Sequence, residues 1–291
     1  MIILTWDSEL KVMNKNKMGK PFLFPHTFIL AIGYIRYAFQ LPYRQTQGII
    51  DATGKNLHSK SPSYGHICKR INKLNVEIRG VGGGDKTADD DDYIVISIDS
   101  SGAKITNRGQ CLDKKWKVQN RKGYLKIHIA VNIKTKEIIA LEVTDEKVHD
   151  GRMLKKLVNQ VMDGSLTTTI SDTKSNKKLI KIKSVSADGA YDSNRNFQYL
   201  QEKGITPGIK VRSNSIVSER NNKLRNKEVY LQSKDLLKWK MKRKYGHRWI
   251  AETAFSTLKR TFGEYVSATR FQNMIKEMMI KVSLYNLFRR I

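Results

Sequence analysis

The chain has 291 residues, 40% of them hydrophobic, enough to build a real core in one large domain or in a medium domain with a small companion. Its 54 Lys and Arg against 27 Asp and Glu give a formal charge of +27, which points to a polyanionic partner, nucleic acid before a membrane surface. The apolar runs fall short of the roughly 20 residues of a spanning helix. Asp7 and Glu9 come too early for a signal-peptide core, and Cys68 and Cys111 form no C-x-x-C, which excludes a zinc site or disulfide frame and suits a reducing, cytoplasmic setting.

Residues 1 to 79 read as helices and turns. "FPHTFILAIGYIRYAFQ" has helical apolar spacing and stops before Pro42. "SPSYGHICKRINKLNVEI" follows "LPYRQTQGIIDATGK", begins with Ser-Pro, and keeps Ile67, Ile71 and Leu74 on one side. Two short helices, the second carrying Lys69, Arg70 and Lys73, match either a DNA-binding helix-turn-helix or an ordinary helical hairpin. The next stretch, residues 80–92, with three consecutive glycines and Asp89 to Asp92, packs no core and reads as a linker. Four consecutive aspartates cannot converge on one calcium ion as spaced loop ligands do.

From residue 93 the pattern turns to strands. "DYIVISIDSSG" alternates and is expected to end in Asp99. "GYLKIHIAVNI" and "KEIIALEVT" form a hairpin across "KTK". "HDGRMLKKLVNQVM" reads as a helix, "KIKSVSADGAYDS" as a strand ending at Asp188, "SNRNFQYLQEKG" as a helix and "GITPGIKV" as a fifth strand. Residues 203–248 hold 14 Lys or Arg against 3 Asp or Glu, and the segment around 212–244 reads as an exposed, loosely packed basic insertion. "YGHRWIAETAFSTLKRTFGEY" is then a helix with Trp249, Ala254, Phe255, Leu258 and Phe262 on its apolar face, and "KVSLYNLFRRI" is a closing helix. The expected fold class is α/β: a mixed sheet flanked by helices, preceded by a small helical N-terminal domain at 1–79.

In such a meander the first strand is central and the fourth pairs beside it. Asp99 and Asp188 then share one sheet edge, and a helix crossing that edge brings Glu252 to them. Taken singly, a strand-end Asp is a turn former, and a Glu four residues after Arg248 is a surface ion pair. Taken together, three converging carboxylates need cations between them, and hard oxygen donors suit Mg²⁺ or Mn²⁺. Two such ions can activate a water or a 3′-hydroxyl and stabilise the leaving oxygen of a phosphodiester.

The spacing Tyr245-x2-Arg248-x3-Glu252-x6-Lys259 resembles the signature of DDE insertion-sequence transposases, groups four and five. "IDSSG" at Asp99, "KGYLKIHIAV", "HDGRML" and "ADGAYDS" at Asp188 resemble that family's blocks in its order, over about residues 93–288. The resemblance implies an RNase H-like catalytic domain at 93–291. It also implies metal binding and catalysis by Asp99, Asp188 and Glu252, and DNA contacts from Tyr245, Arg248 and Lys259. Two Mg²⁺ or Mn²⁺ ions, transposon-end and target DNA, a homodimer on DNA, and a prokaryotic nucleoid setting follow as expectations. Only 63 residues separate Asp188 from Glu252, without the large β-strand insertion of some relatives, so hairpin processing is not implied. An RNase H-like nuclease without strand transfer and an inactive DNA-binding relative are the competing readings. His128 and His149 stay outside the catalytic set. Trp239 is either a packing anchor or a base-stacking platform, and the basic loop around Trp116 is a further DNA-facing candidate.

Overall fold

The computed structural model describes residues 6–54, 61–76, 78, 93–105, 124–163 and 180–290. The expected linker at 80–92, Cys111 and the Trp116 loop lie outside these residues. Four helices come first: α1 (Trp6–Asn14), α2 (His26–Ala38), α3 (Tyr43–Gly54) and α4 (Tyr64–Lys73). Six strands follow, β1 (Tyr93–Ile105), β2 (Tyr124–Asn132), β3 (Ile138–Asp145), β4 (Lys181–Ala187), β5 (Thr206–Ile209) and β6 (Tyr265–Val266). They are interleaved with α5 (Leu154–Met162), α6 (Asn194–Glu202), α7 (Lys223–Lys234), α8 (Leu236–Lys242), α9 (Trp249–Phe262) and α10 (Phe271–Arg290).

The sheet order is β3-β2-β1-β4-β5, with β6 pairing β1. The β1–β2–β3 meander is antiparallel, and β4 and β5 add in parallel. This is the mixed sheet flanked by helices expected from the sequence. Alternation along the strands creates two apolar faces. Ile127, Ile129 and Val131 of β2 face one core with α9 and α10, whereas Ile96 and Ile98 of β1 face the other with α5 and α6. The sheet is therefore buried on both sides, as parallel pairing requires.

One strand departs from expectation. β1 does not end at Asp99 but runs to Ile105, because β2 pairs with it as far as Lys104 and β6 holds its end. Asp99 thus lies within a strand whose parallel neighbour has already stopped.

The N-terminal helices join the α9–α10 core. Ile29, Ile32, Ile67 and Ile71 are buried with Met278, Ile280 and Val282 of α10. Gly33 of α2 faces Ile71 and Ile280 across this contact. Ser63 caps α4, accepting from the His66 N–H. Arg70, one of the basic residues expected to meet DNA, is instead buried at 7% exposure. Its guanidinium donates to the Phe24 carbonyl and lies over the Phe22 ring. Helical spacing put it beside Lys69, but only tertiary contact assigned it to the interior face.

The basic segment also departs from expectation. It folds into α7 and α8, each capped by a side chain, Asn222 and Asp235 respectively. Trp239 is 2% exposed and its indole donates to Glu228 at 2.6 Å, so it is the packing anchor and not an open stacking platform.

Candidate active site

The last pair in the parallel β1–β4 ladder is Ser97 with Ser186. Continuing that register by two residues brings Asp99 and Asp188 to the same level, just past the end of the ladder. β4 ends at Ala187, and Asp188 caps a 3-10 turn at Gly189–Tyr191, accepting from the Ala190 N–H at 3.0 Å. The cap orients the carboxylate and leaves its second oxygen free of that bond. Asp99 accepts from the Ser100 N–H at 2.9 Å.

Glu252 arrives on the first turn of α9, after a 3-10 turn at Tyr245–Arg248. Ser97, two residues before Asp99, donates its hydroxyl to the Arg248 carbonyl at 3.2 Å, which pins the start of α9 to β1. The Arg248 guanidinium pairs with the Glu252 carboxylate. The bland reading of that pair is therefore true as far as it goes, but the pair is not isolated.

The electrostatics tie these groups together. Burial pushes the Asp99 carboxyl up to about 6; the Ser100 N–H and Arg248 oppose the rise, and the charges of Asp188 and Glu252 add to it. Burial likewise raises the Tyr245 phenol, Arg248 opposes, and Asp188, Glu252 and Asp99 reinforce. Arg248 is held more firmly protonated despite its burial, through Tyr245, Glu252 and Asp99. Five of the six residues singled out in the sequence thus share one electrostatic neighbourhood. The sixth, Lys259, lies on α9 about 10 Å further along the helix axis than Glu252, and is half-buried. Of the expected apolar face of α9, Ala254, Phe255, Leu258 and Phe262 are buried, but Trp249 is 53% exposed. It is the first helical residue and turns into an open groove of about 660 Å³ that Met241, Lys244, Tyr245 and Arg248 also line.

The donor chemistry fits a hard divalent cation: Asp99 and Asp188 are adjacent, and Asp99 bears a charge that a cation would stabilise. Among the described residues, no group of three or more His, Cys, Asp or Glu is gathered closely enough to hold an ion. Glu252 faces Arg248 and would have to leave it to become a third donor.

His128, within β2, is fully buried, bonded to Thr144 at 2.9 Å with Asp150 3.5 Å from its other nitrogen, and His149 is exposed before a turn. Sequence reasoning passed over Tyr191, which is buried with its phenol raised by burial and by Asp150, Asp99 and Asp188. It also passed over Asp192, Arg225 and Glu228, which build the neighbouring wall. Of these, only Glu228, a lone acid in a basic stretch, carried a signal in the sequence.

A sequence profile described as "Transposase DDE domain" matches residues 90–287, and a second with the same description matches residues 1–108. Solved structures similar to the chain include two transposase complexes. One is the piggyBac transposase synaptic complex with hairpin DNA, at 11% identity and a TM-score of 0.44, covering 99% of this chain and 71% of that one. The other is the Drosophila P element transposase strand transfer complex, at 12% identity and a TM-score of 0.30, covering 94% and 67%. No helix among the described residues is long and apolar enough to cross a membrane. The family match spans well over half of the chain and includes Asp99, Asp188 and Glu252 alike: the chain belongs to the Transposase DDE domain family.

Proposed function

We propose that this chain cuts DNA at the terminal inverted repeats of a mobile element and joins the freed 3′-hydroxyl ends to target DNA. The observation that carries this reading is the shared field of Asp99, Asp188 and Glu252 at one sheet edge, with the Asp99 carboxyl driven up to about 6. Such perturbation by burial together with specific charged neighbours is typical of a group arranged for chemistry. Two Mg²⁺ or Mn²⁺ ions held by Asp99, Asp188 and Glu252 would supply Lewis acidity at the scissile phosphate and a nucleophile at neutral pH.

The chain's own groups do the rest. Arg248 and Tyr245 stand beside the carboxylates and offer donors to a phosphate. As a phosphate draws Arg248 away, Glu252 is released toward Asp99. Lys259, further along α9, holds the flanking duplex. The exposed cations of α4 (Lys69, Lys73) and α7–α8 (Lys227, Lys234, Lys238, Lys242) extend the basic surface, and α3–α4 reads the transposon end. Two copies acting on paired ends make the working unit a homodimer on DNA.

The test is cleavage of a labelled duplex carrying the repeat that flanks the coding region. Wild type should cut and join in Mg²⁺. Glu252→Gln should lose orders of magnitude in rate while keeping metal-free DNA binding. Near-normal cutting by Glu252→Gln would remove α9 from the active site.

A further inference from the structure

Asp188 and Glu252 sit on elements separated by 63 residues of chain, and most of that chain is the basic segment. Side chains on its inner side, joined through one turn of α7, link the two. Asp192 closes the 3-10 turn that Asp188 opens. It is 6% exposed and receives both Nε (2.7 Å) and Nη2 (3.0 Å) of Arg225 on α7. The Arg212 N–H and the Ser215 hydroxyl complete its shell at 3.1 and 3.2 Å. Burial alone would raise this carboxyl, yet these donors hold it below its ordinary value.

One turn along α7, Glu228 is fully buried. It receives the Trp239 indole at 2.6 Å and the Arg243 guanidinium, both from α8 and its end. The Trp239 ring lies 5.1 Å from the Tyr245 ring, and Tyr245 opens the turn that leads into Glu252. Gln232 fixes α7 to the end of β5, donating to the Ile209 carbonyl at 2.9 Å and accepting from the Val211 N–H at 3.0 Å. A segment built only to bind DNA would present its arginines outward. Here Arg225 and Arg243 turn inward onto buried acids, while Lys227, Lys234, Lys238 and Lys242 remain exposed.

We propose that residues 212–244 are a rigid strut that sets the separation between the Asp188 turn and the Glu252 helix, with Asp192, Arg225 and Glu228 as positioning residues. The proposal rests on the reading of those carboxylates as the catalytic set. Its physical basis is that buried, bidentate ion pairs are specific in geometry, and small misplacement of a catalytic group costs a large factor in rate, on the order of 100-fold per ångström.

Arg225→Met leaves Asp192 buried and unpaired and endangers folding, so the double variant Asp192→Asn/Arg225→Met, which removes both charges, is made beside it, with Arg225→Lys as the conservative variant. Amide hydrogen exchange of the full chain without metal or DNA is the first readout. The double variant should lose protection at both 188–192 and 245–252 while β1 and β2 keep theirs, and Arg225→Lys should retain part of it. The second readout separates rate from binding. Cleavage at saturating DNA should fall at least about 10-fold, with DNA half-saturation changed less than about 3-fold. Protection lost only within 212–244, or in neither flanking segment, overturns the strut. So does weakened DNA binding with the saturated rate intact. If wild type cuts no DNA at all, the functional reading fails, yet the exchange measurement still decides whether the strut exists.

Discussion

Replacing Asp99 with Asn should stabilise the metal-free protein while abolishing its proposed chemistry. The carboxyl rises from an ordinary 3.8 to about 6, through burial first and then through Asp188 and Glu252. A raised folded-state pKa means the native chain binds that proton more tightly than the unfolded chain. Its stabilising contribution is full below about 3.8 and is lost as pH rises through about 6. At pH 8 the wild type therefore carries the cost of an ionised Asp99, and Asn, which has nearly the same shape, does not. The interval corresponds to roughly 3 kcal/mol at about 1.4 kcal/mol per tenfold. Water reaching the half-buried side chain reduces this to about 1 kcal/mol, or about 2 °C in Tm for a chain of this size. The assay is thermal unfolding in chelator, at pH 8 and near pH 4. The variant should melt higher at pH 8, and the two proteins should converge near pH 4. An Asn variant less stable than wild type at pH 8 would show that ionised Asp99 is a structural partner in the native state, and would refute the reasoning. Stability gained as activity is lost is the usual signature of a charge kept for function.

Two further expectations concern other parts of the molecule. Burial, with Lys126 adding and Asp150 opposing, depresses His128 to about 4, so stability is full above about 6.5 and drains as pH falls toward 4; urea unfolding should show about 2 kcal/mol lost by pH 5. His128→Gln should flatten that dependence, and an unchanged loss would assign it to another group. DNA affinity should fall with salt at about 0.9 decade per decade for each phosphate contact, and Lys259→Ala should reduce the slope by about 1; a salt-insensitive affinity would sink the electrostatic account of the +27 charge.

The sequence by itself determined a good deal. Alternation in β1 to β3, followed by helices and strands in turn, made the first strand central and the fourth its neighbour, because short connections leave few ways to bury both faces of a mixed sheet. That order brings the strands of Asp99 and Asp188 together, the register between them sets the two residues at one level, and the spacing from Tyr245 to Lys259 brought Glu252 into consideration. Tertiary structure decided what local pattern could not. Whether Arg70 or Lys69 faces inward depends on Phe22 and Phe24, more than forty residues away in the chain. The length of β1 depends on β6, a two-residue strand with no pattern of its own. The segment at 212–244 looked like open basic surface because charge count ignores direction. Its two inward arginines are satisfied by Asp192 and Glu228, and a buried acid paired with an arginine leaves no trace in composition. Sequence periodicity reports which face of an element is apolar; only the packed molecule shows which charges have been taken inside and made to meet.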